Sequence, residues 1–246
     1  MSVTRLVLEG HDLQPGELLV PEAPARHARV ARVQPGDPIE VLDLAGAVAV
    51  GRLLRWEGGA CRVSLERIER ERGEPSAPLV LALGLLHTAA FDWAVEKAAE
   101  LGATRIVPVV SERSQGGRHE SRVDRWRRIA AAAVAQCGRT RPPGVDPPEP
   151  LAAVLAGARG VLLLAEPAAS APAPFRVGED GITVLVGPEG GFTSREIAAA
   201  RDAGFLGLPL GPRTLRAETA ALAALATAAW IGADWNLPRD HPVHTS

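Results

Sequence analysis

Leu185-Val-Gly-Pro-Glu-Gly-Gly-Phe-Thr-Ser-Arg-Glu-Ile197 and, shortly after it, Leu210-Gly-Pro-Arg-Thr-Leu-Arg-Ala-Glu-Thr-Ala-Ala-Leu222 decide the fold. Each is a glycine-punctuated turn that follows a short apolar run and leads into a helical pattern. Two such turns close together imply an open α/β sheet whose ligand sits beyond the carboxyl ends of the strands. Gly187, Gly190 and Gly191 either let the main chain approach a ligand at positive φ or simply form a tight turn. No Gly-Lys-Ser/Thr follows, which excludes a Walker loop, and the Gly-x-Gly-x-x-Gly spacing of a dinucleotide fingerprint is absent.

Working outward, Thr193-Ser-Arg-Glu196 reads as a capping box opening a helix over 194–203. A short strand around Phe205–Leu208 and a final helix over Ala217–Ala233 follow, with a frayed tail after Asn236. Upstream, Leu79–Leu86, Arg105–Val110, Val161–Ala165 and Ile182–Val186 are apolar runs of the kind found in parallel strands buried on both faces. Helical spacing falls between them at Phe91–Leu101 (stopped by Gly102), Arg122–Cys137 (stopped by Gly138) and Leu151–Leu155. Arg141–Pro150 reads as a proline-rich loop. This alternation predicts a mostly parallel sheet with helices on its faces.

The first seventy residues differ. Arg5–Glu9, Pro38–Leu42, Val48–Leu54 and Ala60–Ile68 read as strands, interrupted by one helix over Ala25–Val33 that carries His27, Arg29 and Arg32. That predicts a small β-barrel-like module, and the charged, then Pro/Ser-containing piece Glu69–Pro78 predicts the boundary. The expected domains are residues 1–72 and 73–246.

The 246 residues carry a net charge of −2, so global attraction to nucleic acid is not indicated. Cys61 and Cys137 lack metal-ligand spacing and are expected as free thiols. The amino terminus lacks the apolar core of a signal peptide, and the longest apolar stretches are broken by Arg159 and Glu218 before a membrane span of about 20 residues is reached. A soluble, cytoplasmic protein is expected. The six histidines are scattered, which disfavours zinc or triad chemistry, and no metal is expected.

Charge is nonetheless local. Between Arg105 and Arg141 lie nine arginines against three acids. They form either a solvated helix face or a surface that grips phosphate oxygens. Arg213, Arg216 and Glu218 crowd the start of an otherwise Ala/Leu helix, either as a brace for that helix or as chemical groups.

Taken together, the two glycine turns resemble those of the small-subunit ribosomal RNA methyltransferase E family, in the SPOUT superfamily of knotted methyltransferases. Supporting stretches are Asp92-Trp-Ala-Val-Glu-Lys-Ala-Ala-Glu-Leu-Gly102, Ser111-Glu-Arg-Ser114, Arg125-Trp126 with Ile129, and Gln136-Cys-Gly-Arg139. His27 with Val30-Ala-Arg32 and Pro35-Gly36-Asp37 resembles the family's amino-terminal module. Members tend to carry a basic residue before the Asp-Trp helix, where this chain reads His87-Thr-Ala-Ala-Phe91.

The resemblance implies an N-terminal PUA-like RNA-binding barrel and a C-terminal α/β domain tied in a trefoil knot. It further implies a homodimer that uses S-adenosylmethionine to methylate N3 of one uridine in the 16S rRNA of the 30S subunit. A SPOUT enzyme for another RNA and a non-catalytic RNA-binding or assembly factor stand beside that reading. Under it, the cofactor rests on Leu163, Leu164 and Glu166, on Gly187, Pro188, Glu189, Gly190 and Gly191, and on Leu210, Gly211 and Leu215. Arg216 and Glu218 carry the chemistry. His27, Arg29, Arg32, Arg113, Arg125, Arg139 and Arg213 contact RNA.

Overall fold

The computed structural model describes residues 3–114, 122–166 and 176–232, and the chain divides into two compact units. Among the described residues one comprises 3–74 and 131–142, and the other the described parts of 75–130 and 143–232. The tail after Asn236, Ala233 at the expected end of the last helix, and Arg118 in the basic segment lie outside the described residues.

In the first unit, β1 (Thr4–Val7), β2 (Gly16–Val20), α1 (Glu22–Val30), β3 (Pro38–Leu42), β4 (Ala47–Glu57) and β5 (Ala60–Arg70) build a five-stranded sheet ordered β1-β3-β4-β5-β2. β1 runs parallel to β3, while the other pairs are antiparallel. The sheet is a path whose ends, β1 and β2, do not pair among the described residues. Its core joins Leu6, Val20, Ile39, Val41, Leu53 and Val63 to Ala25 and Ala28 of α1.

Two details depart from the sequence expectation. β2 was not anticipated, because Val20 is its one buried residue and an edge strand so exposed shows no alternation. α1 begins at Glu22, before Pro24, rather than at Ala25. A proline in the first turn is compatible with a helix because the first N–H groups have no intrahelical acceptor.

A buried ion network secures the edge of this unit. Arg72 donates to both oxygens of Glu40 at 2.7 and 2.8 Å, and Arg5 Nε donates to Glu40 Oε2 at 2.8 Å. Burial alone would push the Glu40 carboxyl up; the hydrogen bonds and charge of Arg72, then of Arg5, outweigh it and hold the group below the usual carboxylate range. Nearby, Glu74 accepts from the Arg139 guanidinium at 2.7 Å and from the main-chain N–H groups of Thr140 and Arg141, each at 2.8 Å.

The second unit contains β6 (Leu79–Gly84), α2 (Thr88–Glu100), β7 (Arg105–Val110), the first half of α3 (Val123–Cys137), β8 (Gly144–Val145), β9 (Glu149–Pro150), α4 (Leu151–Gly157), β10 (Val161–Ala165), β11 (Ile182–Val186), α5 (Ser194–Asp202), β12 (Leu206–Leu208) and α6 (Ala217–Ile231). The strand order is β12-β10-β11-β6-β7-β8, with β9 also on β7, and every pairing is parallel. β8 and β9 correct the expectation of a plain loop over 141–150; two residues each are too short to show a period. α6 packs on β6, β11 and α2. It does so through Ala217, Ala221, Ala224 and Ala228, small side chains that let the helix lie close. On the sheet, Ala82, Val107, Leu164 and Leu185 share a core with Leu151 and Val154 of α4 and Ala200 of α5.

Candidate active site

Because the strands are parallel, the carboxyl ends of β6, β10, β11 and β12 open along one edge of the sheet. The four loops that leave them are 85–87, 166 onward, 187–193 and 209–216. β11 lies between β6 and β10, so the chain order reverses there, where ligands of open α/β sheets collect.

The loop after β11 is held in place from several sides. Thr193 caps α5 by accepting from the Glu196 N–H at 3.3 Å, while Glu196 Oε2 accepts from the Thr193 N–H at 2.8 Å, the anticipated capping box. The other oxygen of Glu196 accepts from the Glu112 N–H at 2.8 Å. Glu189 Oε1 accepts from the His87 N–H at 2.9 Å, and the Gly190 carbonyl accepts from Arg113 at 2.9 Å. From below, Pro188 lies directly on Gly84 of β6, where an added Cβ would stand 2.4 Å from the proline nitrogen. Gly191 has φ +66° and Gly211 φ +91°, backbone that a side chain adopts only with strain.

Two adjoining clefts lie at this edge. The first, about 70 Å³, is lined by Ala165, Glu166, Leu210, Gly211, Arg213, Thr214, Leu215 and Ala220. The second, about 490 Å³, is lined by His87, Ala90, Glu189, Thr214, Leu215, Arg216, Ala217 and Glu218. Thr214 and Leu215 form the partition. The second volume falls in the range of small-molecule sites, about 300–1,000 Å³, and the first is a smaller recess beside it. A third cleft of about 450 Å³ lies at the amino ends of the strands, against Thr104, Arg159 and Asp180, and none of the expected site residues lines it.

Arg216 is the N-cap residue of α6, and its side chain makes no capping hydrogen bond. Among the described residues neither Arg216 nor Glu218 has an ion-pair partner, so the helix-brace reading of this pair finds no support in the geometry. Among the described residues these two oppositely charged groups, neither with an ion-pair partner, face the second cleft, next to the first, where Ala165, Gly211, Thr214 and Ala220 stand among the larger Glu166, Leu210, Arg213 and Leu215.

The sequence comparisons bear on that arrangement. Residues 73–229 match the family described as RNA methyltransferase domain. A ribosomal RNA small subunit methyltransferase E of Synechocystis sp. is 33% identical over 206 residues, which span 80% of this chain and 67% of the relative. One of Mycobacterium bovis is 31% identical over 224 residues, 85% of this chain and 84% of the relative. The chain belongs to the ribosomal RNA small subunit methyltransferase E family. A crystal structure of a family member from Neisseria gonorrhoeae, bound to S-adenosyl methionine, superposes with TM-score 0.83 at 31% identity and covers 94% of this chain and 98% of its own.

Against that family background, the residues of the first cleft suit a nucleoside-bearing ligand. Main-chain groups of Gly211 to Leu215 make no hydrogen bond to another described main-chain group, which leaves donors and acceptors open at the cleft. Glu166 adds an acceptor at the cleft, with Arg201 donating to both of its oxygens at 2.9 and 2.8 Å. Leu163 and Leu164 lie inside the ladder between β11 and β12, nearly fully buried, so the accessible rim of β10 begins at Ala165. Glu189 turns its side chain toward the second cleft, with Arg216 and Glu218. Ala165 and Thr214 fall within the segments 163–166 and 210–215 expected to hold the cofactor, whereas Ala220 was not singled out from the sequence. Ala220 could have been, since it stands one turn after Arg216 on the same helix face.

The arginines expected to meet RNA fall into two groups. In the first unit Arg29 stacks 4.8 Å over the Trp56 ring and donates to the Gly58 carbonyl, and His27 and Arg32 are exposed. Arg213 is exposed at the first cleft. Arg139 is 5% exposed and engaged with Glu74. Arg125 pairs with Asp92 at 2.7 Å, and the same carboxylate accepts from Trp126 Nε1 at 3.1 Å. Arg113 holds the glycine loop, as described above. Much of the basic segment's charge is therefore matched by acids distant in sequence: Asp146 for Arg105, Glu71 for Arg141, and Glu74 and Asp92 for the other two. Among the described residues no group of three or more His, Cys, Asp and Glu could hold a metal, and no helix is long and apolar enough to cross a membrane. Among the described residues neither Cys61 nor Cys137 forms a disulfide.

Proposed function

We propose that this protein transfers a methyl group from S-adenosylmethionine to N3 of a uridine in 16S rRNA. The observation that carries the reading is the pair of adjoining clefts, one lined by backbone-rich turns and the other by the unpartnered Arg216 and Glu218. The names of the relatives, and the cofactor in the Neisseria gonorrhoeae structure, support it. The cofactor is assigned to Glu166, to main-chain groups of 187–191, and to Leu210, Gly211 and Leu215. S-adenosylmethionine supplies, when bound, a methyl group already activated as a sulfonium. The protein's own contribution is alignment and exclusion of water. Arg216 donates to the uracil carbonyl oxygens, where negative charge develops as the N3 proton leaves. Glu218 accepts that proton or orients Arg216. Since the N3 edge is hidden in a base pair, the uridine enters unpaired or flipped.

Within this reading, residues 1–72 form a PUA-like barrel that binds RNA through His27, Arg29 and Arg32, and residues 73–246 form a trefoil-knotted SPOUT domain. Arg213 contacts RNA from the second domain. The enzyme works in the cytoplasm on the 30S subunit as a homodimer. Trp93 of α2 and Trp230 and Ile231 of α6 are 42%, 61% and 36% exposed, an apolar surface suited to a second copy. Light scattering at low concentration tests the dimer.

The activity is tested by incubating the purified protein and S-adenosylmethionine with 30S subunits lacking the modification, then mapping methyluridines by mass. Arg216→Ala should slow transfer by roughly 10²- to 10³-fold with little change in cofactor affinity. Equal activity of that variant would remove Arg216 from the chemistry, and absence of methyl-N3-uridine with the native enzyme would remove the function.

A further inference from the structure

We infer that Arg201 is a positioning residue for the cofactor, acting through Glu166. The inference rests on the cofactor assignment above and extends it to a residue that lines neither cleft. Arg201 stands in the last turn of α5 and its Nη2 donates to both Glu166 oxygens, at 2.9 and 2.8 Å. Glu166 is the first residue beyond β10. Its main-chain N–H donates to the Leu208 carbonyl at 3.2 Å, which fixes the backbone, while its side chain lines the first cleft. The carboxylate is 15% exposed and Arg201 is 57% exposed. The arginine therefore approaches from solvent and the acid is the inner member of the pair.

A carboxylate is acceptor-only, and the donors available on an S-adenosyl ligand are its ribose hydroxyls, adenine amine and ammonium. Glutamate has three rotatable side-chain bonds, so an isolated one at a cleft rim samples many rotamers. A charged guanidinium nitrogen shared between both oxygens restricts that freedom before the ligand arrives. The placement of α5 adds to this. Its first turn is fastened by Glu196 to the N–H groups of Thr193 and Glu112, and its last turn by Arg201 to Glu166. The helix is thus a strut that ties the glycine loop after β11 to the acid after β10, two segments that approach the ligand from different strands.

The test is a double-mutant cycle on the full-length protein, reading S-adenosylmethionine Kd by calorimetry and steady-state KM and kcat on 30S subunits. Arg201→Gln should raise Kd and KM for S-adenosylmethionine roughly fivefold, as expected for losing one exposed charge contact, with a much smaller change in kcat at saturation. Arg201→Lys should recover part of the loss. Glu166→Gln should weaken binding at least as much, and the double variant should bind no worse than Glu166→Gln alone, because Arg201 has nothing left to position. Additive losses in the double variant, or an Arg201→Gln enzyme with native Kd, would overturn the inference. Failure of the native protein to bind S-adenosylmethionine would instead overturn the cofactor assignment itself.

Discussion

Replacing Gly84 by alanine tests whether the glycine loop is seated from below by β6. The new Cβ would stand 2.4 Å from Pro188 N, 2.5 Å from Pro188 Cδ and 2.9 Å from the Gly187 carbonyl carbon. Favourable carbon contacts lie near 3.5–4.0 Å, so loop or strand must retreat by about 1 Å. β6 is flanked by β11 and β7 and cannot move without disturbing both ladders, whereas Glu189 and Gly190 of the loop are exposed. Most of the displacement therefore goes into residues 187–191. Overpacking of this kind costs about 1–3 kcal/mol. At roughly 2–4 °C per kcal/mol for a domain of this size, Tm should fall by about 2–12 °C. A loop displaced by about 1 Å also misplaces the groups that it presents, and turnover should fall about 10²-fold. Differential scanning calorimetry gives the first quantity; calorimetric titration with S-adenosylmethionine and methyl incorporation into 30S subunits give the others. A Gly84→Ala enzyme with native Tm, native affinity and native turnover would refute the seating of the loop on β6.

Other expectations follow from the same geometry. Removing Arg72 leaves Glu40 buried with Arg5 as its remaining guanidinium, and should destabilise the amino-terminal unit by about 3 kcal/mol at neutral pH. Because the Glu40 carboxyl is held below its usual range in the folded state, its contribution is present above the ordinary carboxylate pKa and is lost as pH falls through the depressed one. The acid-unfolding midpoint followed by circular dichroism should accordingly move to higher pH in Arg72→Ala; an unmoved midpoint would contradict the network. Thr193→Ala removes one half of the capping box and should cost about 1 kcal/mol in urea denaturation. Glu196→Ala should cost more, since that carboxylate also holds the Glu112 N–H. Finally, Arg32→Gln and Arg213→Gln should each lower the salt slope of RNA binding by about 0.7, whereas Arg139→Gln should leave the slope alone and lower Tm. A slope change confined to Arg139→Gln would reverse the division drawn among the arginines.

Local structure was the most legible part of the chain. The bounds Pro38–Leu42, Arg105–Val110, Val161–Ala165 and Ile182–Val186 can be read from apolar runs bounded by Gly, Pro and charge, because a strand buried on both faces admits little else. The capping box at Thr193 was legible for the same reason, its reciprocal bonds being local. Strand order was not. Nothing within 182–186 says that β11 inserts between β6 and β10, since that pairing depends on residues a hundred positions away. The same limit hid the acids that neutralise the basic segment. Asp92, Asp146, Glu71 and Glu74 lie outside a window drawn around α3, or unnoticed in loops, and only the folded chain brings them to the arginines. At the clefts, glycine punctuation marked the loops correctly as turns, but which side chains face which cleft depends on helix phase and on partners such as His87 and Arg201.

The fastenings of the glycine loop also bear on when the site comes into being. His87 reaches Glu189 across 102 residues, Glu112 reaches Glu196 across 84, and Arg113 reaches Gly190 across 77. Contacts so distant along the chain require large loops to close before they contribute, which makes such topologies slow to form. During synthesis, a chain that has emerged only as far as β10 holds one rim of the first cleft and none of the loop. Competence to bind the cofactor should therefore appear late and abruptly in refolding, after helices α2 and α3 have gained their structure. Ligand capture thus becomes a clock for completion of the entire carboxyl-terminal unit rather than for any one of its elements.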